Sequence, residues 1–140
     1  MGAMAQPRAK ILVVDDDPDM VLSLQLTLAT GPYEVVSARS GEEGLRKIKE
    51  ENPDLLILDV MMEDFVTGFK MVERLRDPDP HSEYAAYAHL PILLLTSIHQ
   101  RTAFRFAPDP ERLPVQGFLE KPIAPQVLLQ RVAELLAGTG

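Results

Sequence analysis

A chain of 140 residues, 46% of them hydrophobic and 25% charged, suits one globular domain and excludes wholesale disorder or a fibrous architecture. Its formal net charge of -7 makes nucleic acid a poor partner, and the lack of cysteine excludes disulfides and thiol chemistry. The lack of cysteine agrees with a reducing compartment, so we expect a cytoplasmic protein. No apolar run approaches the roughly 20 residues of a membrane helix, so we expect no membrane partner.

The first half of the chain predicts alternating strands and helices. The run ILVV at 11–14 is short, β-branched and followed by acidic residues, which is typical of a buried parallel strand. Asp17, followed by proline, predicts the N-cap of a helix. The segment YEVVSA at 33–38 predicts a second strand. Ser40 and Glu43 match the S-x-x-E capping box of a second helix.

The second half continues this alternation. LLILDV at 55–60 and PILLLTS at 91–97 predict two more buried strands, and VQGFLEKP at 115–122 predicts a fifth. Apolar residues at helical spacing predict a third helix before the fourth strand and a last helix that Pro125 opens. We therefore expect an α/β fold with a doubly wound parallel sheet that is covered on both faces. We assign residues 9–138 to this domain and residues 1–8 to a tag remnant or disordered N-terminus.

Polar side chains stand at the carboxyl ends of four predicted strands: Asp15 and Asp16, then Asp59, then Thr96 and Ser97, then Lys121. Doubly wound sheets bind ligands beyond these strand ends, so we expect the side chains to converge. Clustered carboxylates repel one another unless a hard cation such as Mg²⁺ neutralises them. A lysine and a hydroxyl can hold a phosphoryl group, and an Asp carboxylate can accept one. This set predicts Mg²⁺-dependent phosphoryl transfer to Asp59.

Four motifs, in this order, resemble the receiver domain of response regulators: ILVVDDDP, LLILDV, LLLTS and GFLEKP. The resemblance covers residues 10–137. It implies a flavodoxin-like, five-stranded sheet in the order 2-1-3-4-5. It also implies a phosphoprotein of a two-component, phosphorelay system that receives its phosphoryl group from a sensor histidine kinase or phosphotransfer protein. Such a phosphoacceptor assists its own phosphorylation and dephosphorylation and is not counted as an enzyme.

The resemblance also assigns the metal ligands. It implies that Asp16 and Asp59 bind Mg²⁺ directly, together with the main-chain carbonyl of Met61. Asp15 is expected to act through a water molecule. The alternative for Asp15 and Asp16 is a solvated loop beside a helix cap, which becomes improbable once Asp59 is considered with them.

Three further roles follow from the resemblance. Lys121 is expected to pair with the phosphoryl group on Asp59, and Thr96 to bond it. Thr96 and Phe118 are expected to form the switch, in which the hydroxyl moves inward and the ring packs behind it. A core phenylalanine would give the same pattern as Phe118, so that role stays open. The switch would change the contacts of the protein with a downstream protein target, as a monomer or weak dimer.

Two segments depart from the pattern of the family. Fourteen residues separate Arg76 from Pro91, and residues 77–90 predict either an ordered insertion or an exposed loop. Prolines within 98–115 exclude a long fourth helix between the last two strands, so we expect this helix to be shortened or remodelled. Glu63 also stands where receivers usually carry proline.

Several functions compete with phosphoacceptance. Because the chain ends after the last helix, we expect a single-domain receiver that acts through protein contacts. The alternative is a receiver-shaped interaction module that phosphorylation no longer regulates. A phosphatase of the haloacid dehalogenase type would take its nucleophile from the first strand in a D-x-D context, and Pro18 does not fit that motif. A P-loop nucleotide switch is excluded because its glycine-rich motif is absent.

Overall fold

Strands and helices alternate through the residues that the computed structural model describes, which are 9–59, 65–96, 117–120 and 123–137. The strands are β1 (Ala9–Val14), β2 (Tyr33–Ala38), β3 (Leu55–Asp59), β4 (Ile92–Thr96) and β5 (Gly117–Glu120). The helices are α1 (Pro18–Leu28), α2 (Gly41–Glu51), α3 (Phe65–Leu75) and a C-terminal helix (Pro125–Ala137). The elements predicted from the sequence are therefore found, with strand and helix ends that differ by a few residues.

The five strands form one parallel sheet in the order β2-β1-β3-β4-β5. This confirms the doubly wound, flavodoxin-like fold. Residues 1–8 and the segment expected to hold the shortened fourth helix lie outside the described residues. In the part of the chain that is described, no helix has the length and apolar character needed to cross a membrane.

Local capping sets the starts and ends of α1 and α2. Asp17 caps α1 by accepting a hydrogen bond from the Asp19 N–H at 3.0 Å. Ser40 Oγ caps α2 by accepting from the Glu43 N–H at 3.1 Å, and the Glu43 carboxylate accepts in return from the Arg39 N–H at 2.7 Å. The predicted capping box is thus present, but its carboxylate reaches one residue further back than the N-cap. Asn52 ends α2 in the left-handed region, with φ at 50°.

The core consists of two apolar layers, one on each face of the sheet. Because successive strand residues point to opposite faces, the apolar strands supply both layers. The layer under α2 and α3 takes from the sheet Leu12, Val14, Ala38, Leu56, Leu58, Ile92 and Leu94. The layer under α1 and the C-terminal helix takes Ile11, Val13, Leu55, Ile57, Leu93 and Leu95. All four described helices therefore bury a side against the sheet.

A glycine allows α2 to approach β1 closely. A Cβ atom at Gly44 would lie 2.9 Å from the Val14 Cγ2 and 2.8 Å from the Met71 Cε. The methionine end could turn away, but Val14 is itself fully buried in β1 and cannot. The contact between α2 and β1 therefore depends on the missing side chain.

Residues 77–90 form an ordered insertion. Of the two alternatives that the sequence left open, an ordered insertion or an exposed loop, the structure supports the first. A single 3₁₀ turn spans Ala85–Tyr87. Tyr84 and Leu90 are buried in the layer beneath α2 and α3, with 6% and 7% of their surface exposed. The insertion thus contributes to the core before the chain enters β4.

Candidate functional site at the carboxyl edge of the sheet

The register of the sheet places two acidic residues side by side. Val14 of β1 is the pairing partner of Leu58 of β3, so Asp15 and Asp59 follow at the same level on adjacent strands. Neighbouring strands lie about 4.8 Å apart. Asp15 is 1% exposed and Asp59 is 5% exposed. Two neighbouring buried carboxylates also repel each other, and a bound cation is one way in which proteins relieve such repulsion.

Asp15 also holds the loop between β1 and α1. Its N–H donates to the Ala38 carbonyl at 3.0 Å, which extends the pairing of β1 with β2. Its Oδ1 accepts from the Asp17 N–H at 2.9 Å, an interaction between side chain and backbone that fixes a turn. Asp16 lies between these two anchored residues and is exposed. The loop therefore presents Asp16 to solvent, directly after the buried Asp15.

The sheet brings the fourth and fifth strands to the same edge. Asp59 pairs with Leu95, so Thr96 lies one residue beyond the level of Asp59 on the neighbouring strand. Thr96 in turn pairs with Glu120 of β5, which immediately precedes Lys121 in the chain. The order of the strands thus agrees with the predicted convergence of these residues.

Part of the predicted site lies beyond what the structure describes. Met61 and Lys121 lie outside the described residues, and so do the side chains of Thr96 and Phe118. The backbone of Phe118 is placed in β5, opposite Leu94. The roles assigned to these four residues remain predictions.

The carboxylates present fit a magnesium ion by their chemistry. Within residues 9–59, 65–96, 117–120 and 123–137, no three side chains of His, Cys, Asp or Glu come together as a metal cluster. Mg²⁺ commonly takes only one or two carboxylates and keeps several waters. Asp15 and Asp59 on adjacent strand ends, and Asp16 next to Asp15 in the chain, carry oxygen ligands of the required type.

Ala38 takes part in this edge, although no sequence pattern selects it. Its contribution is a main-chain carbonyl that accepts from Asp15, and every residue carries such a group. A side-chain pattern therefore contains no signal for it. Only the pairing of β1 with β2 identifies it.

A parallel sheet of this order, covered by helices on both faces, is the flavodoxin-like doubly wound fold. The family model of the response regulator receiver domain matches residues 11–133. The chain therefore belongs to the response regulator receiver family of two-component signalling, which confirms the resemblance found in its motifs.

Individual relatives agree with this assignment. The chain is 33% identical to the alkaline phosphatase synthesis transcriptional regulatory protein PhoP of Bacillus subtilis, over 91% of this chain and 48% of that protein. It is 37% identical to the response regulator MprA of Mycobacterium ulcerans, over 93% of this chain and 51% of that protein. The chain thus spans about half the length of these two regulators.

A solved structure shows the same fold. The chemotaxis response regulator CheY4 of Vibrio cholerae superposes with a TM-score of 0.75 and 31% sequence identity. The match covers 91% of this chain and 98% of that one. Receiver domains of this family are signalling phosphoacceptors and interact with histidine kinases and downstream targets.

Proposed function

We propose that this receiver accepts a phosphoryl group on Asp59 in a Mg²⁺-dependent reaction. The observation that carries the proposal is the buried position of Asp59 at the end of β3, beside the buried Asp15 at the end of β1. Membership of the receiver family supports the same assignment. Burial limits the access of water to the carboxylate.

The donor is the phosphohistidine of a sensor histidine kinase or of a phosphotransfer protein. An Asp59 carboxylate oxygen forms a bond to phosphorus while the bond from phosphorus to the histidine nitrogen breaks. The electron pair of the broken bond stays on the imidazole, which takes up a proton. The ammonium of Lys121 pairs with one phosphoryl oxygen, and the Thr96 hydroxyl donates to another.

Asp16, Asp59 and the carbonyl of Met61 would hold the magnesium ion, with Asp15 acting through water. When bound, Mg²⁺ neutralises the carboxylates and the charge on the transferring phosphoryl oxygens. The protein fixes the direction of Asp15 through the Asp17 N–H, so part of the ligand set is oriented before the ion arrives.

Phosphorylation then shifts the population of conformers through Thr96 and Phe118 and changes the contacts of the domain with a downstream protein. The single observation that favours this proposal over a receiver-shaped module without phosphorylation is the pair of buried acids, Asp15 and Asp59. A module that phosphorylation does not regulate needs no acceptor carboxylate there, whereas phosphoacceptance needs Asp59 at this position.

The direct test is phosphorylation of the purified protein by acetyl phosphate, followed by intact mass spectrometry. With Mg²⁺ present, we expect the protein to gain the mass of one phosphoryl group. With EDTA in place of Mg²⁺, we expect no gain. An unchanged mass in both samples would support the unregulated module instead.

Magnesium should also stabilise the unphosphorylated domain, because it relieves the repulsion between carboxylates. For a dissociation constant of about 1 mM, 10 mM Mg²⁺ adds roughly 1.4 kcal/mol to the free energy of unfolding. The melting temperature should rise by a few degrees. Differential scanning fluorimetry with and without Mg²⁺ measures this rise.

Two variants locate the ion in that measurement. Asp16→Asn should show little rise, because it loses a proposed ligand. Asp19→Asn changes an exposed acid in the first turn of α1 and should keep the full rise. A full rise in Asp16→Asn would place the ion elsewhere.

A further inference from the structure

We propose that residues 77–90, which we term the strap, fasten α2, α3 and the start of β4 into one unit that opens cooperatively. The strap crosses from the end of α3 to the start of β4 and contacts α2 on the way. This inference goes beyond the proposed function and holds whether or not Asp59 is phosphorylated. Three sets of contacts carry it.

The first set is apolar. Tyr84 of the strap is buried in the same core layer as Leu45 and Ile48 of α2 and as Val72 and Leu75 of α3. The ring therefore belongs to the apolar layer that both helices bury. Removing the strap from this position would expose apolar surface on both helices at once.

The second set is a charged latch around the ring of Tyr84. Glu83 of the strap accepts from the Lys49 ammonium of α2 at 2.7 Å, and its second oxygen lies 3.5 Å from the Arg74 guanidinium of α3. Both cations also lie over the Tyr84 ring, at 5.4 and 5.5 Å from its centroid. The Glu83 carboxylate and the Tyr84 ring thus each contact one cation from α2 and one cation from α3.

The ionisation of these groups reflects their coupling. The hydrogen bond to Glu83 raises the pKa of Lys49, and the same contact with Lys49 lowers the pKa of Glu83. Exposed ion pairs are individually weak. We therefore expect these ion pairs mainly to orient the strap. The apolar contact of Tyr84 and the hydrogen bonds of Arg76, described next, stabilise its position.

The third set fixes the backbone of the strap. The half-buried Arg76 at the end of α3 donates to the carbonyls of Tyr87 at 3.4 Å, Ala88 at 3.0 Å and Leu90 at 2.5 Å. The Tyr87 hydroxyl donates to the Asn52 Oδ1 at 2.6 Å. Since Asn52 caps the C-terminus of α2, these bonds tie the ends of both helices to the segment that leads into β4.

The fastened ends lie opposite the candidate phosphorylation edge. The strap meets α2 and α3 at or near their C-termini and runs directly into Pro91, whose carbonyl accepts from the Leu56 N–H at 2.9 Å. Opening of α2 or of α3 therefore requires the contacts of the strap to break at the same time. Shared contacts of this kind make segments exchange their amide protons as one cooperative unit.

Amide hydrogen exchange followed by mass spectrometry tests the strap on the unphosphorylated protein without Mg²⁺. Arg76→Met removes the guanidinium donors but keeps an apolar stem of similar length. The loss of hydrogen bonds from a charged group lowers the free energy of local opening enough to make amide hydrogen exchange about tenfold faster. We expect this increase together in peptides from α2, α3 and the strap, with α1 and the C-terminal helix unchanged.

Matched variants complete the experiment. Arg131→Met makes the same substitution on the C-terminal helix and should leave α2, α3 and the strap at wild-type rates. Tyr87→Phe removes only the hydroxyl that bonds Asn52 and should give a smaller increase in both α2 and the strap.

The proposal is overturned if exchange rises in the strap alone, or rises equally throughout the protein. If Arg76→Met does not fold, Tyr87→Phe decides, and unchanged exchange in its α2 peptides overturns the proposal.

Discussion

Asp59→Asn is expected to abolish the gain of phosphoryl mass that acetyl phosphate and Mg²⁺ produce in the wild-type protein. The amide that replaces the carboxylate is not a competent nucleophile for phosphorus. The gain should fall below detection in intact mass spectra recorded under identical conditions. Asp19→Asn serves as the control, because it alters an exposed acid near the same edge and should leave the gain unchanged.

The stability of the Asp59→Asn protein separates loss of the nucleophile from loss of the fold. The substitution nearly conserves shape and removes one of two neighbouring buried charges, so the repulsion with Asp15 is relieved. Without Mg²⁺, its melting temperature should therefore equal or exceed that of the wild type. A folded Asp59→Asn protein that still gains one phosphoryl group would refute Asp59 as the acceptor.

Leu58→Ala should lower the free energy of unfolding by about 2–5 kcal/mol, the usual cost of truncating a buried leucine. Leu58 is 0% exposed and lies in β3, between β1 and β4, where it packs in the layer under α2 and α3. The cavity left there can collapse little, because neighbouring strands and helices hold its walls. Urea unfolding followed by circular dichroism measures the loss.

Leu26→Ala is the matched control for the core prediction. Leu26 lies on α1 and is 63% exposed, so its truncation should change the free energy of unfolding by no more than about 0.5 kcal/mol. Equal losses in the two variants would contradict the assignment of β3 to the buried centre of the sheet.

The sequence predicted the candidate site because its polar residues occur at the ends of predicted strands. Asp15 and Asp59 each follow a short apolar run, and such runs predict buried strands from local composition alone. The likeness of four motifs to the receiver family then assigned their roles. The side chains of Thr96 and Phe118, together with Met61 and Lys121, lie outside the described residues, so those roles stay predictions.

Sequence patterns could not predict the structure of the strap. The polar composition of residues 77–90 fitted an exposed loop as well as an ordered insertion. Its order depends on Tyr84 entering the core and on Arg76 reaching backbone carbonyls. Carbonyls occur in every residue, so no side-chain pattern reveals which of them will accept.

The sequence by itself determined the strands, the helix caps and the polar ends of the strands, because each of these features depends on residues that are close neighbours in the chain. Only the tertiary structure decided the register that sets Asp15 beside Asp59, the close approach of α2 at Gly44 and the path of the strap. These features join residues far apart in the chain. Their energies depend on which elements become neighbours, and that information lies in the packing of the whole domain.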